Sequence, residues 1–475
     1  MLGLKAPERF VFPGVLGMIK DKQPSYQALH TTMSNLRILV VGASIAGPAT
    51  AYWLAKTGAK VTVIERFPQL RTNGQNIDIR TTGVSVMRKI PGMEEAVRAN
   101  LQSIDGISLV GKDGRPYGTM TSTGDPDHQS LISEYEILRG DLSRILYDLT
   151  KNHDSVNYIF GEQVASLQQP EASDGAVQVE FMNGTPSSEY DLVIACDGAT
   201  SRTRAMGLGC AMRDYIQPMN AWATYFSVKK DLLSGSRIGC AYSAVKGRAV
   251  GIGPDASGGN RVTLMGINPR NDHSSMAKFR EANKLGTGAL KDFVAQQFQG
   301  AGWKCDEVMQ GMMEADDFYG SEWVQVKTPT LHKGRFVMVG DAGYAPGPTG
   351  TGTSLALTGA YLLAGEVGKH PGDLAAGLKG YEEQIRPLID KMQKIPPLVP
   401  GAFAPQTAWG IWLRNMIFAF LCWSRLPWLF DKVFGTASAH SDGYKLPEYQ
   451  WTAEEEKVLC SSISTSCITT SLNIQ

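Results

Sequence analysis

The amino-acid sequence predicts a mixed α/β fold, in which a doubly wound parallel-sheet domain is interleaved with an antiparallel-sheet domain and followed by apolar helices. Three observations support this prediction. A strand, a glycine turn, a helix and a second strand follow one another between residues 36 and 65. Residues 207–322 contain β-rich runs separated by Gly, Ser and Pro clusters, which are typical of an antiparallel sheet. Tryptophan-rich apolar segments occupy the C-terminal part.

The composition of the chain narrows the class of protein. With 475 residues and 43% hydrophobic content, it is long enough for several domains and a sizeable core. Its 46 basic and 46 acidic residues cancel, which argues against a nucleic-acid-binding protein and a polybasic membrane protein. We therefore expect a small-molecule partner. The seven cysteines include no C-x-x-C pair and the seven histidines are scattered, so no disulfide framework and no metal site is predicted.

The N-terminal segment differs from the rest of the chain. Residues 1–32 are turn-rich, and their short apolar run contains Pro13 and two glycines. A signal peptide would need a basic flank and a small-residue cleavage site, which this segment lacks. Met33 precedes the first predicted strand as a normal start would. We expect residues 1–35 to be a disordered extension, or to lie partly upstream of the start that is used.

The first chemically informative motif is the turn GASIAG, from Gly42 to Gly47. It lies between a predicted strand and a helix, where bare backbone lets a pyrophosphate approach the helix N-terminus. Ser44 occupies the middle position, so the pattern is G-x-S-x-x-G. Glu65 ends the second strand 18 residues after Gly47, where a carboxylate can accept hydrogen bonds from an adenosine ribose. With the adjoining Arg66, these residues are predicted to bind a cofactor; an ordinary tight turn is the alternative.

The antiparallel domain is predicted from residues 207–322. Its run AWATYFSV places Trp222, Tyr225 and Phe226 on one strand. Because side chains alternate along a strand, Tyr225 faces opposite to Trp222 and Phe226. Tyr225 is therefore the candidate for contact with a substrate, and packing in the core is the alternative.

Two further motifs follow apolar strands. The segment DGATSRTR, from Asp197 to Arg204, is equally compatible with a function and with an ordinary loop. Asp341 ends the strand RFVMVG and is placed to accept hydrogen bonds from polyol hydroxyls. The loop GPTGTGTS then leads into a helix and contributes three candidates, Gly350, Gly352 and Ser354. Thr353 stands where a triphosphate-binding P-loop has lysine, so the loop suits a delocalised anion better than a triphosphate.

The C-terminal part, residues 386–445, is predicted to form apolar helices. It contains four tryptophans, Trp409, Trp412, Trp423 and Trp428. Within the tryptophan-rich stretch that begins at Thr407, the longest charge-free run, Asn415–Ser424, is about half as long as a transmembrane helix requires. These helices either pack on the body of the protein or contact a membrane surface or a lipid substrate, and both interpretations stay open. Residues 446–475 are predicted to form a tail.

In their order and spacing, the three motifs resemble those of the class A flavoprotein monooxygenases of the p-hydroxybenzoate hydroxylase fold. The family patterns are G-x-G-x-x-G, D-G-x-x-S-x-x-R, and G-D-A-x-x-x-x-P followed by G-x-G. The second pattern is matched by Asp197, Gly198, Ser201 and Arg204. The third is matched by Gly340, Asp341, Ala342, Gly350 and Gly352. The sequence is also similar to the tetracycline-inactivating and fungal polyketide-tailoring members of this family.

The resemblance covers residues 36 to about 385 and implies a division into domains. A Rossmann-like FAD-binding domain would comprise residues 36–105, 131–206 and 323–385. The antiparallel segments 106–130 and 207–322 would then form the substrate domain between them.

The resemblance also implies roles for residues outside the three motifs. Arg139, in the segment EILRGDL, is implied to contact FAD, with a helix-entry arginine as the alternative. The segment RTNGQNID is similar to one in the tetracycline-inactivating members, which implies that Arg71 meets the NADPH phosphate and Asp78 meets FAD. A surface salt bridge is the alternative for Arg71. Pro346, or else Pro348, would lie over the flavin beside the substrate.

The sequence departs from the family pattern in the last motif. Tyr344 stands where many members have His, and Ser354 where many have Asn. The loop between Tyr344 and Gly350 is one residue shorter than usual. These departures concern the face of the flavin rather than the binding of FAD.

The resemblance implies an oxidoreductase that uses FAD, NADPH and O2. A flavin C4a-hydroperoxide would insert one oxygen atom into an electron-rich, polyketide-like small molecule in secondary-metabolite biosynthesis. Epoxidation, Baeyer–Villiger insertion and a flavin-binding protein without turnover remain alternatives. A halogenase is disfavoured because W-x-W-x-I-P is absent. The sequence identifies no catalytic base, and we expect a cytoplasmic protein, with or without membrane attachment.

Overall fold

A computed structural model describes residues 36–451 of the protein, apart from 72–73, 102–103, 122–132, 171–174, 256, 270, 273, 396–400, 402 and 425–443. The predicted extension, residues 1–35, lies outside the described residues. So do Trp428 in the C-terminal part and residues 452–475 of the predicted tail.

A mostly parallel sheet forms the first domain. Its strands are β1 Arg37–Val41, β2 Lys60–Glu65, β7 Val156–Phe160, β11 Leu192–Ala195, β17 His332–Lys333 and β18 Phe336–Met338. They lie in the order β17-β18-β11-β1-β2-β7, and β17 is the antiparallel edge strand. Strand β1 is buried from Ile38 to Val41 because the sheet is covered on both faces, as its uninterrupted apolar sequence predicts. The carboxyl ends of β1, β2, β11 and β18 meet at one edge of the sheet.

A seven-stranded sheet forms the second domain. Its strands are β4 Gly106–Val110, β5 Pro116–Thr121, β12 Ile216–Val228, β13 Ile238–Ala244, β14 Arg248–Pro254, β15 Asn260–Ile267 and β16 Tyr319–Val326. They lie in the order β16-β12-β15-β14-β13-β4-β5, and every neighbouring pair is antiparallel except β13 with β4. One face packs on three helices, α6 Ser274–Leu285, α7 Thr287–Phe298 and α8 Cys305–Glu314. The predicted mixed α/β fold class is confirmed.

The border between the two domains differs from the sequence-based prediction at two points. The prediction assigns Trp323–Val326 to the parallel-sheet domain, but these residues continue β16 and pair with β12 in the antiparallel sheet. Helix α11, Leu374–Met392, runs through the predicted border between residues 385 and 386. Short apolar runs have the same composition in both kinds of sheet, so the sequence alone did not place this border.

Two small sheets and the remaining helices connect these domains. One sheet contains β8 Val164–Gln168, β9 Val177–Phe181 and β10 Ser188–Tyr190, and the other pairs β3 Asn76–Asp78 with β6 Glu136–Leu138. The further described helices are α1 Ala46–Ala55, α2 Thr82–Arg88, α3 Met93–Ala99, α4 Arg139–Asp148, α5 Arg202–Leu208, α9 Asp341–Tyr344, α10 Gly352–Lys369 and α12 Ala408–Ser424. Helix α10 is buried along most of its length, against α1 and α11.

The C-terminal region contributes to the core more than the prediction of a tail suggests. The rings of Trp451 and Trp53 have centroids 4.8 Å apart, and the Tyr449 hydroxyl donates to the buried Glu366 carboxylate at 2.8 Å. Residues 444–451 are therefore part of the folded body. Helix α12 packs on β5, while its outer side exposes Trp412 and Trp423. No described helix is both long and apolar enough to cross a membrane.

Candidate active site

The turn from Gly42 to Gly47 brings the N-terminus of α1 against the end of β1. Gly42 has φ +109° and its N–H donates to the Ile64 carbonyl at 2.7 Å. A Cβ atom on Gly47 would lie 1.8 Å from the Gly42 carbonyl oxygen, so this approach requires glycine. Helix α1 has no side-chain cap and no acidic residue in its first turn, which leaves its N–H groups to an anion.

Glu65 and Ser44 lie where the sequence places them, beside this turn. The Glu65 carboxylate accepts hydrogen bonds from the N–H groups of Ala43, at 2.9 Å, and Phe67, at 3.1 Å. The carbonyl oxygen of Ser44 accepts from the Ser143 hydroxyl at 3.0 Å, which ties the turn to α4. The carboxylate is thus fixed at the edge of the sheet that was predicted to meet a ribose.

The segment containing Asp78 meets the glycine loop. Asp78 forms an ion pair with the buried Arg80 at 3.1 Å, and a Cβ on Gly350 would lie 3.2 Å from the same carboxylate oxygen. The N–H of Arg80 donates to the Ser354 hydroxyl at 2.9 Å. Desolvation by the surrounding protein raises the pKa of Asp78, and Arg80 opposes this effect. Ser354 therefore anchors the β3 segment to α10.

Asp341 lies against the N-terminus of α10. A Cβ on Gly352 would be 3.6 Å from its carboxylate and 3.7 Å from Pro346. Desolvation raises the pKa of Asp341, while Arg139 lowers it, so the arginine implied to contact FAD acts electrostatically on this carboxylate. Like α1, helix α10 begins without a side-chain cap and without an acidic residue in its first turn. The second helix N-terminus is therefore also free to stabilise an anion.

The segment from Asp197 to Arg204 forms a closed hydrogen-bond network. The Asp197 carboxylate accepts from the Ser201 hydroxyl at 2.5 Å and from the Thr203 hydroxyl at 2.9 Å. The fully buried Arg204 donates to the Ala342 carbonyl at 2.7 Å, next to Asp341. In the structure this motif holds the Asp341 segment in place, and contact of Asp197 with a cofactor stays a prediction.

Tyr344 lies in the core, away from the glycine loop. Its hydroxyl is 3.1 Å from the Tyr381 hydroxyl, which in turn donates to the Met338 carbonyl at 2.9 Å. A Cβ on Gly359 would lie 2.0 Å from the Tyr344 hydroxyl oxygen. Tyr344 therefore has a packing role between α10 and α11.

Arg66, Arg71 and Arg139 form a group of cations near the carboxyl edge of the sheet. Arg66 and Arg71 lie over the Phe67 ring, with guanidinium carbons 4.8 and 4.9 Å from the ring centroid. Desolvation, followed by the positive charges of Arg139 and Arg66, lowers the pKa of Arg71. The Glu65 carboxylate offsets part of this repulsion, and the remaining excess of positive charge suits phosphate.

A cavity of about 300 Å³ lies between the β3–β6 pair and the antiparallel sheet. Tyr225 lines it, whereas Trp222 is buried on the helix-covered face, as the alternation along β12 predicts. The Tyr225 ring stacks on Tyr319 at 5.1 Å, and the N–H of Gln75 donates to the Tyr319 hydroxyl at 2.8 Å. Pro346 does not line this cavity, although it lies beside Gly352 at the start of α10.

The floor of the cavity is formed by small residues on neighbouring strands. Thr263, Gly251 and Ala241 follow Tyr225 across the sheet in one register row. Gly253 and Gly239 lie on the same face of the sheet. A Cβ on Gly251 would be 3.8 Å from its nearest neighbour and one on Gly253 would be 3.6 Å away, so packing does not require glycine here. The glycines instead keep the floor low and flat.

Several residues of the site were not identified from the sequence. Arg80 is paired with Asp78, Tyr319 stacks on Tyr225, and Glu136 lines the cavity opposite the sheet. Glu136 and Tyr319 reach the site only through strand pairing between distant segments, such as Asp78 with Glu136. Arg80 lies two residues after Asp78, just beyond the end of β3. No local sequence pattern marks any of the three.

Comparison with known proteins identifies the family. Residues 35–393 match the family described as FAD binding domain. The FAD-dependent monooxygenase asL4 of Sarocladium schorii is 32% identical over 440 residues, 88% of this chain and 99% of that protein. The monooxygenase CTB7 of Cercospora beticola is 33% identical over 428 residues, 88% of this chain and 98% of that protein. The chain belongs to the FAD-dependent monooxygenases.

Solved structures agree with this assignment. The tetracycline destructase Tet(55) is 30% identical, with a TM-score of 0.67, and the match covers 88% of this chain and 99% of that chain. Tet(51), with 26% identity, has a TM-score of 0.68 over 87% of this chain and 100% of that chain. The resemblance to class A flavoprotein monooxygenases is thereby confirmed, together with the predicted oxidoreductase class.

The geometry of this monooxygenase fits FAD. Two uncapped helix N-termini, those of α1 and α10, approach the same sheet edge, where the Gly42–Gly47 turn leaves bare backbone. The carboxylates of Glu65 and Asp341 lie at the ends of β2 and β18, suited to the hydroxyls of a ribose and a ribitol. Among the residues that the structure describes, no group of three His, Cys, Asp or Glu could hold a metal ion.

Proposed function

We propose that this monooxygenase uses NADPH and O2 to insert one oxygen atom into an electron-rich aromatic small molecule, in the biosynthesis of a polyketide-like secondary metabolite. The observation that carries the proposal is the cavity beneath the β3–β6 pair, whose glycine floor accepts a flat ring system. The name of two solved relatives records action on tetracycline, and this supports a multi-ring substrate. Tyr225 and Tyr319 at one end add aromatic surface for stacking.

The residues of the chain would divide the work by position. Bound FAD supplies the electron transfer to oxygen and the oxygen transfer to the substrate. Helix α10 begins at Gly352, and its free N–H groups would stabilise negative charge on the flavin ring system. Glu65 and Asp341 would hold the polyol parts, and Asp78 with Arg80 would fix the glycine loop. The cavity walls would keep water from the reacting atoms.

Arg71 and Arg66 are proposed to receive the phosphates of NADPH. The support is the cluster of positive charges at Phe67, which suits the anionic phosphates of the nucleotide. Arg71→Ala should raise the KM for NADPH about tenfold, the loss expected for one charge-assisted hydrogen bond. Arg115→Ala, in an exposed ion pair, is the matched control and should leave this KM unchanged. An unaltered KM in the Arg71 variant would remove the role proposed for it.

We also propose a cytoplasmic location, with contact between α12 and a membrane surface. The described cysteines are all free, as in a reducing compartment. Along α12, Trp412 is 53% exposed, Phe420 55% and Trp423 80%, an aromatic face of the kind that settles at lipid headgroups. Flotation with phosphatidylcholine vesicles should retain the wild-type protein and lose a Trp412→Ala/Trp423→Ala variant. Equal flotation of both would refute the contact.

The proposed activity is tested with purified, FAD-loaded protein and a panel of phenols, anthraquinones and unsaturated polyketides. Substrate-dependent NADPH oxidation should yield a product heavier by one oxygen atom. NMR of that product separates hydroxylation from epoxidation and Baeyer–Villiger insertion. A protein that holds FAD but never oxidises NADPH would support the alternative of a flavin-binding protein without turnover.

A further inference from the structure

The wall of the cavity opposite the glycine floor carries a carboxyl group. Asn76 of β3 and Glu136 of β6 both line the cavity, and the Asn76 Nδ2 atom donates to a Glu136 carboxylate oxygen at 2.8 Å. This hydrogen bond fixes the orientation of the carboxyl group beside the cavity. Because a carboxylate accepts hydrogen bonds, this wall is suited to a ligand that donates them.

The charges on the same side of the cavity favour a protonated Glu136. Asp78 is its partner in the register of the β3–β6 pair. Desolvation, reinforced by the negative charge of Asp78, raises the pKa of Glu136 to about 7, while Asn76 and Arg80 oppose the rise. A carboxyl group that titrates near neutral pH can both accept and return a proton.

The charged groups across the cavity leave the pKa of Glu136 largely unaltered. Arg261 also lines the cavity, but Asp255 holds it at 2.7 Å and Asp317 at 2.8 Å. Desolvation raises the pKa values of Tyr225 and Tyr319, so both phenols are neutral at physiological pH.

We propose that Glu136 is a catalytic base that accepts the proton of a substrate hydroxyl, and that Asn76 is a positioning residue that orients the Glu136 carboxyl group. The inference rests on the proposed function and deepens it, since it restricts the substrate to hydroxyl-bearing aromatic compounds. The substrate O–H bond breaks, its electron pair stays on oxygen and delocalises into the ring, and a new O–H bond forms on Glu136. The proton returns to the product oxygen before release. The ring is then most electron-rich when it receives the oxygen atom.

The test uses 2-hydroxyanthraquinone and its methyl ether, 2-methoxyanthraquinone, as probes of the FAD-loaded protein. On binding near pH 7, the hydroxyl probe should show its phenolate absorbance with the wild-type protein and not with Glu136→Gln. Glu180→Gln, on the separate three-stranded sheet, is the matched control and should behave as wild type. The methyl ether has no proton to give and should show no such band in any variant.

Two further variants separate a catalytic role from loss of the fold. Glu136→Asp keeps the carboxyl and should retain part of the phenolate band, with the FAD content of each variant as a check on folding. Asn76→Leu removes the donor that favours the anion, so the pH at which the band develops should rise. Where the probe is turned over, Glu136→Gln should lower product formation by about 100-fold or more.

The outcomes distinguish this inference from the proposed function. An equal phenolate band in wild type and Glu136→Gln would overturn the role of Glu136. Failure of the wild-type protein to bind the hydroxyl probe or any phenol of the panel would overturn the substrate class. A band that depends on Glu136, without an oxygenated product in the presence of NADPH, would uphold the base and refute the proposed monooxygenation.

Discussion

Replacement of Glu136 by Gln should change the pH dependence of stability in a direction that can be worked out. The folded protein raises the pKa of this carboxyl from its ordinary value of 4.5 to about 7. The stability that proton binding provides is therefore complete below about pH 4.5 and is lost as the pH rises through about 7. At about 1.4 kcal/mol per pKa unit, the rise corresponds to about 3 kcal/mol of unfolding free energy. Gln resembles the protonated acid at every pH and should not show this loss.

Urea denaturation of the FAD-saturated proteins at pH 5 and pH 8 measures the effect. From pH 5 to pH 8, the wild type should lose about 2.5 kcal/mol of unfolding free energy that Glu136→Gln keeps. This loss is most of the roughly 3 kcal/mol expected over the whole pH range. In the wild type, the Glu180 carboxylate accepts a hydrogen bond from the Ser166 hydroxyl at the surface. The unfolding free energy of Glu180→Gln should therefore change by less than about 0.5 kcal/mol relative to wild type. If the two variants behave alike at both pH values, Glu136 is not a perturbed carboxyl and the argument for a base in the cavity fails.

Three further predictions concern the cofactor site, the cavity floor and the C-terminal segment. Asp341→Ala should weaken FAD retention about tenfold, measured by flavin absorbance after gel filtration, while the exposed Asp390→Ala should retain FAD as wild type does. Gly251→Val should keep the melting temperature, because the added atoms enter open space, yet it should raise the KM for three-ring substrates; an unchanged KM would contradict the proposed floor. Tyr449→Phe should lower stability by about 1–3 kcal/mol in urea titration, because the buried Glu366 loses a donor, and an unchanged midpoint would count against this packing.

In the parallel-sheet half of the site, the positions of the residues could be predicted from the sequence because strand ends are marked locally, while their roles toward a cofactor stay predictions. In the Gly42–Gly47 turn, and at Glu65 and Asp341, the chain direction itself places each residue at the carboxyl end of a strand. The family resemblance added Arg139, whose charge does act on Asp341 in the structure. These inferences needed no knowledge of how distant segments pair.

The sequence failed where the site depends on pairing between distant segments. Glu136 becomes a cavity residue only because β6 pairs with β3 below the antiparallel sheet, and its neighbour Asp78 lies 58 positions earlier in the chain. The glycine floor likewise needs the register of β13, β14 and β15. Neither charge coupling nor a flat surface is encoded in a local pattern, so both emerge only from the tertiary fold.

The packing of the C-terminal segment shows a further limit of composition. Residues 446–451, LPEYQW, look like part of a polar tail in the sequence. In the structure, however, Tyr449 and Trp451 pack on α1 and α10. Their partners, Trp53 and Tyr361, are buried, and helix periodicity alone does not show which segment covers them. Two aromatic residues can thus anchor a short irregular segment.

Transfer of one atom of molecular oxygen to a hydroxyl-bearing aromatic substrate can be followed by isotope labelling. FAD-loaded protein is turned over with NADPH under ¹⁸O2, and the product is analysed by mass spectrometry, with a parallel reaction in H2¹⁸O under ordinary oxygen. We expect one ¹⁸O atom in the product from labelled gas and none from labelled water. A label that comes from water, or a product that carries no added oxygen, would refute the proposed monooxygenation.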